Sequence, residues 1–343
     1  TGPFMWQEYV AKDHLTLVRN PDYQWAPDIF YHQGPAYLRS ITFRFIPSEA
    51  TRAGALENGE IQVAQDLPPT ELARLRDDPR FTLIQAAVPG LPHVLLANTA
   101  TGPTRERAVR QALNYAIDRE AIVQMMFQGL GEPAYGPLAP NTAFYSPVVE
   151  DFYPYDRAQA EQILDDAGWL RGADGIRVKG DERLALQLNT MGFNRYPEIM
   201  QVVQAQWQEI GVDVQINVMP SWPQFSSAGQ QGQHSLMPYF QPAADPHFAL
   251  MPFFHSANIG TGINFTFFRD ETLDRLLEAG AETTDAATRA DLYRQIQQRV
   301  MEEGLIVPLY VNYNNTLTRA EVRGLRFDRR GWYPWLYDVS LVR

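Results

Sequence analysis

The chain has 343 residues, 45% of them hydrophobic and 12% aromatic, with a formal net charge of −11 and no cysteine. That length and apolar content predict two lobes or domains around a substantial core, while the lack of cysteine excludes disulfides, thiol catalysis and thiolate metal sites. The acidic balance offers no basic face to nucleic acid, and no apolar run approaches the ~20 residues that a membrane-spanning helix needs.

The chain opens on "TGPFMWQEYV", with neither an initiator methionine nor a signal-peptide pattern. "HLTLVRN" (His14 to Asn20) and "SITFRFIP" (Ser40 to Pro47) alternate as strands do. A short helix from about Thr51 stops at Gly59 and leads to a strand at Ile61 to Ala64; "PTELARLRDD" reads as helix and "FTLIQAA" as strand. The stretch "RQALNYAIDREAIV" then carries Val109, Leu113, Ala116 and Ile117 at helical spacing. Asp118 interrupts, and a second stripe begins at Ile122 and Val123. Aspartate accepts from the orphan N–H groups of a following helix, and Glu120 suits the first turn, so Asp118 is expected to cap the second of two abutting helices.

"YDRAQAEQILDDAGW" reads as a helix capped at Asp156 and closed by Gly168. "LALQL" (Leu184 to Leu188), "PEIMQVVQAQWQEIG" and "VDVQINV" give strand, helix and strand, with proline in the helix's first turn and Gly211 after its end. That order predicts a parallel pair and an α/β lobe. Two further helices with a break near Thr283 to Asp285 precede the strand "LIVPLYV" and a loop-rich tail.

Motifs for zinc proteases, nucleophile elbows, phosphate loops and dinucleotides are all missing. His234, His247 and His255 fall in one region but match no zinc spacing, so neither a metal nor a cofactor is expected. Between Met219 and Phe268 the sequence is rich in Trp, Tyr, Phe, Pro, Gly and Gln and nearly uncharged. It lacks helical periodicity, so much of it is expected to be loop or short strand, the setting for a binding cleft.

Seven motifs run in the order of one family: "TGPF", "DHLTLVRNPDY", "ITFRFIPSEATRAGALENGEIQV", "RAVRQALNYAIDREAIV", "YDRAQAEQILDDAGW", "IGVDVQI" and "IVPLYV". From Thr1 to about Tyr313 the chain resembles the extracytoplasmic solute-binding proteins, family 5, of peptide, nickel and opine-type ABC transporters. The resemblance implies an α/β, periplasmic-binding-protein-like fold of two lobes, joined by strands near Leu95 to Thr99 and Pro308 to Tyr313, that closes on its ligand by a hinge motion. It implies a C-terminal fragment with residues 1–96 in an incomplete lobe I, 97–305 as lobe II, and 306–343 returning to lobe I. It also implies a monomer outside the cytoplasmic membrane, periplasmic or lipid-anchored, whose partners are a small solute, peptide or peptide-like by default, and the membrane permease.

Peptide binders of this family carry a "DYxDP"-like motif whose first aspartate holds the ligand's α-amino group. Here the stretch reads "QPAADP": Asp245 matches the second aspartate, and Pro242 stands where the first would be. A ligand without a free α-amine, or a peptide held another way, is therefore favoured, unless a gap slides Asp245 into the role. Position in the family pattern nominates Trp222, Tyr239, Phe240, Gln241, Asp245, Asn98, Arg195 and Tyr313 as ligand-binding residues, and no residue as catalytic. Two other readings stay open at this point, a ligand-sensing domain of a transcriptional regulator and a hydrolase using acidic groups in the aromatic region.

Overall fold

The structure, a computed structural model, describes residues 2–342; Thr1, the first residue of the "TGPF" motif, and Arg343 lie outside the described residues. By internal contacts the chain forms two units, Thr1–Ala87 with Tyr313–Arg343, and Val88–Asn312. The chain therefore passes between units at Ala87/Val88 and Asn312/Tyr313. The first crossing lies upstream of the expected Leu95 to Thr99, because that segment belongs to a sheet inside the larger unit.

The smaller unit begins with an antiparallel meander of β1 (Phe4–Val10), β2 (His14–Arg19) and β3 (Ser40–Arg44). Helix α1 (Glu49–Glu57) follows, its Thr51 N–H donating to the Ser48 hydroxyl. After it come β4 (Val63–Gln65), α2 (Pro69–Leu75) and β5 (Phe81–Ala87).

The larger unit opens with β6 (Gly90–Ala97), buried at every residue. Next are α3 (Arg107–Tyr115), α4 (Arg119–Phe127) and α5 (Arg157–Asp166). The short strands β7 (Leu170–Arg171), β8 (Arg177–Lys179) and β9 (Glu182–Arg183) make a small sheet of their own. Then β10 (Ala185–Met191), α6 (Tyr196–Glu209), β11 (Asp213–Met219), α7 (Trp222–Gln230), β12 (Leu236–Pro242) and α8 (Pro246–Phe254) follow. Helices α9 (Glu271–Glu282) and α10 (Ala286–Glu302) lead to β13 (Ile306–Tyr310). Finally β14 (Tyr313–Arg319) returns to the smaller unit, where it lies between β4 and β5 and antiparallel to both.

The main sheet runs β11-β10-β12-β6-β13, with β10 parallel to β11 and to β12, and β6 antiparallel to β12 and β13. A strand covered on both faces must be apolar on both. In β6, Leu95 and Ala97 join one core cluster with the inner faces of α3, α4, α5 and α6, while Leu91, Val94 and Leu96 join another with α8, α9 and α10. The period-two alternation of a strand thus divides one segment between two cores, with helices on either side of the sheet.

The two abutting helices form as the sequence predicts. The Ala121 N–H donates to the Asp118 carboxylate at 2.9 Å, and the Asp118 N–H donates to the Gln206 amide oxygen at 3.1 Å, clipping the corner to α6. Arg119, next to the cap, is almost fully buried, with its guanidinium on the carbonyls of Pro308 and Tyr153 and on Asn114. Burial lowers its pKa to about 10, an effect that nearby Tyr135 and Asp118 only partly offset. Those hydrogen bonds are what make an arginine tolerable there.

The aromatic region differs from its expected loops. It contains the nine-residue helices α7 and α8 and the strand β12. Prolines Pro223 and Pro246 occupy first-turn positions where the missing N–H costs nothing. Helix α8 buries Ala249, Leu250, Phe253 and Phe254 and is apolar nearly all round, so no periodic stripe announces it. In α7, Gly229 meets the Phe265 ring so closely that a Cβ would lie 2.7 Å from it. Tertiary packing sets that helix where local propensity does not.

Two predictions follow from the packing of this unit. Replacing Asp118 with Ala should cost about 1 kcal/mol as a lost N-cap, seen as a lower urea midpoint with ligand affinity unchanged. The second concerns His93 and His234, whose pKa values burial pushes from 6.5 down to about 3 and about 4. Below pH ~6.5 the unfolded chain takes up protons that the folded one refuses, so their stabilising contribution is lost as pH falls toward those values. Each histidine should contribute up to ~1.4 kcal/mol per pH unit. The His93→Gln variant should show a shallower stability loss than the parent between about pH 6 and pH 4.5.

Candidate functional site

Because β10, β11 and β12 are parallel, their carboxyl ends open on one edge of the sheet, where α/β proteins commonly hold ligands. A cavity of about 210 Å³ lies at that edge, lined by Met191, Phe193, Tyr196, Trp222, Phe225, Pro238, Tyr239, Phe240, Gln241 and Pro242. Each strand end supplies part of the wall. Met191 ends β10 and Phe193 lies in the turn to α6, whose first residue is Tyr196. After β11 the chain turns into α7 at Trp222, and the last residues of β12 complete the lining.

Rings dominate this wall. Trp222 stacks on Phe225 at 5.6 Å between centroids and meets Tyr239 edge-on at 5.9 Å, while Phe193 packs edge-on against Tyr196 at 5.3 Å. Trp222 and Phe193 are nonetheless 44% and 40% exposed, so each keeps an open apolar face. Asn194 and Arg195, in the turn before α6, both hold positive φ, +52° and +56°. That conformation is unfavourable for residues with a side chain and recurs at ligand sites.

Behind the wall sits His93. It stacks on Phe240 at 4.4 Å and on Tyr310 at 4.3 Å, and its Nδ1 is 2.8 Å from the Tyr196 hydroxyl. Burial holds the imidazole neutral and raises the Tyr196 hydroxyl well above its usual pKa. One buried side chain thereby fixes the placement of two lining residues.

Gly90 is needed where β6 starts beside the irregular pairing of Tyr239 and Gln241 on β12. Its φ is +115°, and a Cβ would fall 2.1 Å from the Gln241 carbonyl oxygen. Only glycine lets the two backbones approach so closely at the cavity's rim.

Of the eight nominated residues, Trp222, Tyr239, Phe240 and Gln241 come together here. Asn98 does not: it is fully buried, its amide donating to the carbonyls of Gly232 and His234 and to Thr101, and its oxygen accepting from the Ala100 N–H. Every polar atom of that side chain is engaged within the protein, and Asn98 lies outside the cavity's lining. Asp245 caps α8 through the His247 N–H at 2.9 Å, pairs with Arg289 at 2.9 Å, and is not among the residues that line the cavity. Arg195 precedes α6 and is not a lining residue, and Tyr313 opens β14 in the other unit. Met191, Phe193, Tyr196, Phe225, Pro238 and Pro242 escaped nomination. The strand-end rule applied to "LALQL" and the turn after it would have pointed to Phe193 and Tyr196.

A larger hollow, about 720 Å³, lies within the smaller unit along β3 and β4. Two of its charged groups, Arg44 and Glu60, face each other at 3.5 Å, and Arg52 donates to the Ile46 carbonyl. Its remaining wall combines the flanks of β3 and β4 with apolar residues of the C-terminal segment such as Leu325 and Leu336. Strand ends do not converge on it, which makes the smaller cavity the candidate. Among the described residues no group of three or more His, Asp or Glu stands in metal-holding proximity, and no helix is long and apolar enough to cross a membrane.

The comparisons with known proteins agree with this fold. The chain is 28% identical over 344 residues to heme-binding protein A of Haemophilus influenzae, covering 99% of this chain and 59% of that protein. It is 28% identical to a probable di/tripeptide-binding protein 5 of Pseudomonas aeruginosa, over 96% of this chain and 60% of the other. The chain thus spans about three fifths of the length of these curated relatives. Among solved structures, NikA of Brucella suis in complex with Fe(III)-EDTA superposes with a TM-score of 0.85 at 24% identity, over 99% of this chain and 68% of NikA. The α/β, periplasmic-binding-protein-like fold expected from the motif order is the one found. The family model described as bacterial extracellular solute-binding proteins, family 5 Middle, matches residues 1–261. The chain belongs to family 5 of the bacterial extracellular solute-binding proteins.

Proposed function

We propose that this chain is the ligand-holding part of an ABC importer's solute-binding protein. It takes up a small organic solute, peptide or peptide-like by family default, and presents it unaltered to a membrane permease. The observation that carries the reading is the cavity at the carboxyl edge of β10, β11 and β12, walled by rings with open faces. Trp222, Tyr239, Phe240 and Gln241 are the contacts assigned to the solute, with Phe193 and Tyr196 added from the geometry. In this reading Val88–Asn312 corresponds to lobe II and the other unit to lobe I. The protein works as a monomer outside the cytoplasmic membrane, in the periplasm or tethered by a lipid.

The test is a thermal-shift screen of peptides, sugars and opine-like compounds against the full-length protein. A ligand at a hundred times its Kd stabilises the folded state by ~2.7 kcal/mol, which should raise Tm by several degrees. The Trp222→Ala variant should lose most of that rise while its unliganded Tm stays near the parent's. A screen in which no compound moves Tm would overturn the reading.

A further inference from the structure

We propose that the cavity at the strand ends holds an uncharged, ring-bearing apolar group of the solute, and not a charged terminus. The inference rests on the binding reading above and narrows it to a chemical class. None of the ten lining residues carries a charge. A charged group of the ligand buried there would lose its hydration without a counter-ion, which is strongly unfavourable. The carboxylate best placed in sequence to serve as one, Asp245, is already engaged by the His247 N–H and by Arg289.

The volume fits part of a ligand. At about 210 Å³ the cavity exceeds the ~150 Å³ in which an apolar hole takes up benzene, and falls short of the ~300–1,000 Å³ of pockets that enclose a whole drug-sized ligand. The open faces of Trp222 and Phe193 suit a flat group in offset or edge-on contact. The polar features are sparse. The Tyr196 hydroxyl is held by His93, while the Tyr239 hydroxyl, pushed up to about 12 by burial, remains a neutral donor. Gln241 adds an amide that both donates and accepts. The site therefore reads a neutral ring with one adjacent neutral polar group, such as an amide.

The experiment uses the full-length protein and three small probes: phenylacetamide, n-butylammonium and butanoate, followed by saturation-transfer NMR. Phenylacetamide is expected to bind, and its Kd to weaken at least tenfold in Trp222→Ala, with recovery in Trp222→Phe; the two charged probes should give no signal. Equal binding of a charged probe would overturn the inference, as would phenylacetamide binding that ignores Trp222→Ala. If a solute from the broad screen binds while phenylacetamide neither binds nor competes, this inference fails and the binding reading stands. If nothing in that screen binds, the binding reading fails and takes the inference with it.

Discussion

The strand β6 has no solvent face along its whole length, and the larger unit is arranged around that constraint. With all of Gly90–Ala97 buried, successive side chains must satisfy opposite cores, and any polar group among them must be neutral and bonded within the protein. His93 meets that condition through Tyr196 and two stacked rings. The same strand pairs with β12 on one side and β13 on the other, so it carries the carboxyl end of β12, and with it the rim of the cavity, at a fixed height.

The candidate site is accordingly a product of sheet topology more than of any motif. Three parallel strands end at one edge, and the turns that follow must reverse into helices there. The residues that accomplish the reversal, Phe193 and Tyr196 after β10 and Trp222 after β11, are the ones whose rings wall the cavity. Groups nominated for their place in a family pattern fared differently according to their chemistry. The aromatic ones in the larger unit, Trp222, Tyr239 and Phe240, lie in the wall. Asn98 and Asp245, which can satisfy backbone groups, do so and are thereby withdrawn from solvent or from the cavity.

Much of this fold can be read from local sequence. The Asp118 cap, the Asp156 cap with Gly168 after α5, and the strand–helix–strand unit of β10, α6 and β11 all follow from period, cap and breaker residues. What could not be read is α7 and α8, where proline, glycine and uniform hydrophobicity hide the helical period. Their helicity comes from contacts such as Gly229 on Phe265, which bring together residues far apart in sequence. The buried arginines were equally hidden. Arg110 and Arg119 look like ordinary polar helix positions until the carbonyls of Glu303 and Pro308 arrive from the end of the chain. Four cavity residues were legible through the family pattern, whereas Phe193 and Tyr196 needed the sheet's topology, which emerges only when strands distant in the chain are paired.

The connectivity of the two units also sets an order of events during synthesis. Val88–Asn312 is one uninterrupted segment, and its ends meet where the Val88 N–H donates to the Asn312 carbonyl. Once Asn312 has left the ribosome, every residue of that unit is available to fold. The smaller unit has no such advantage, because the strand that fills the gap between β4 and β5 is β14, translated after the whole of the larger unit. At ~5–20 residues per second, β4 and β5 wait on the order of ten seconds or more with their facing edges unpaired. Unpaired edges recruit other strands. The edges at risk thus belong to the smaller unit, whereas the ligand cavity belongs to the larger one, and the risk ends only when β14 arrives.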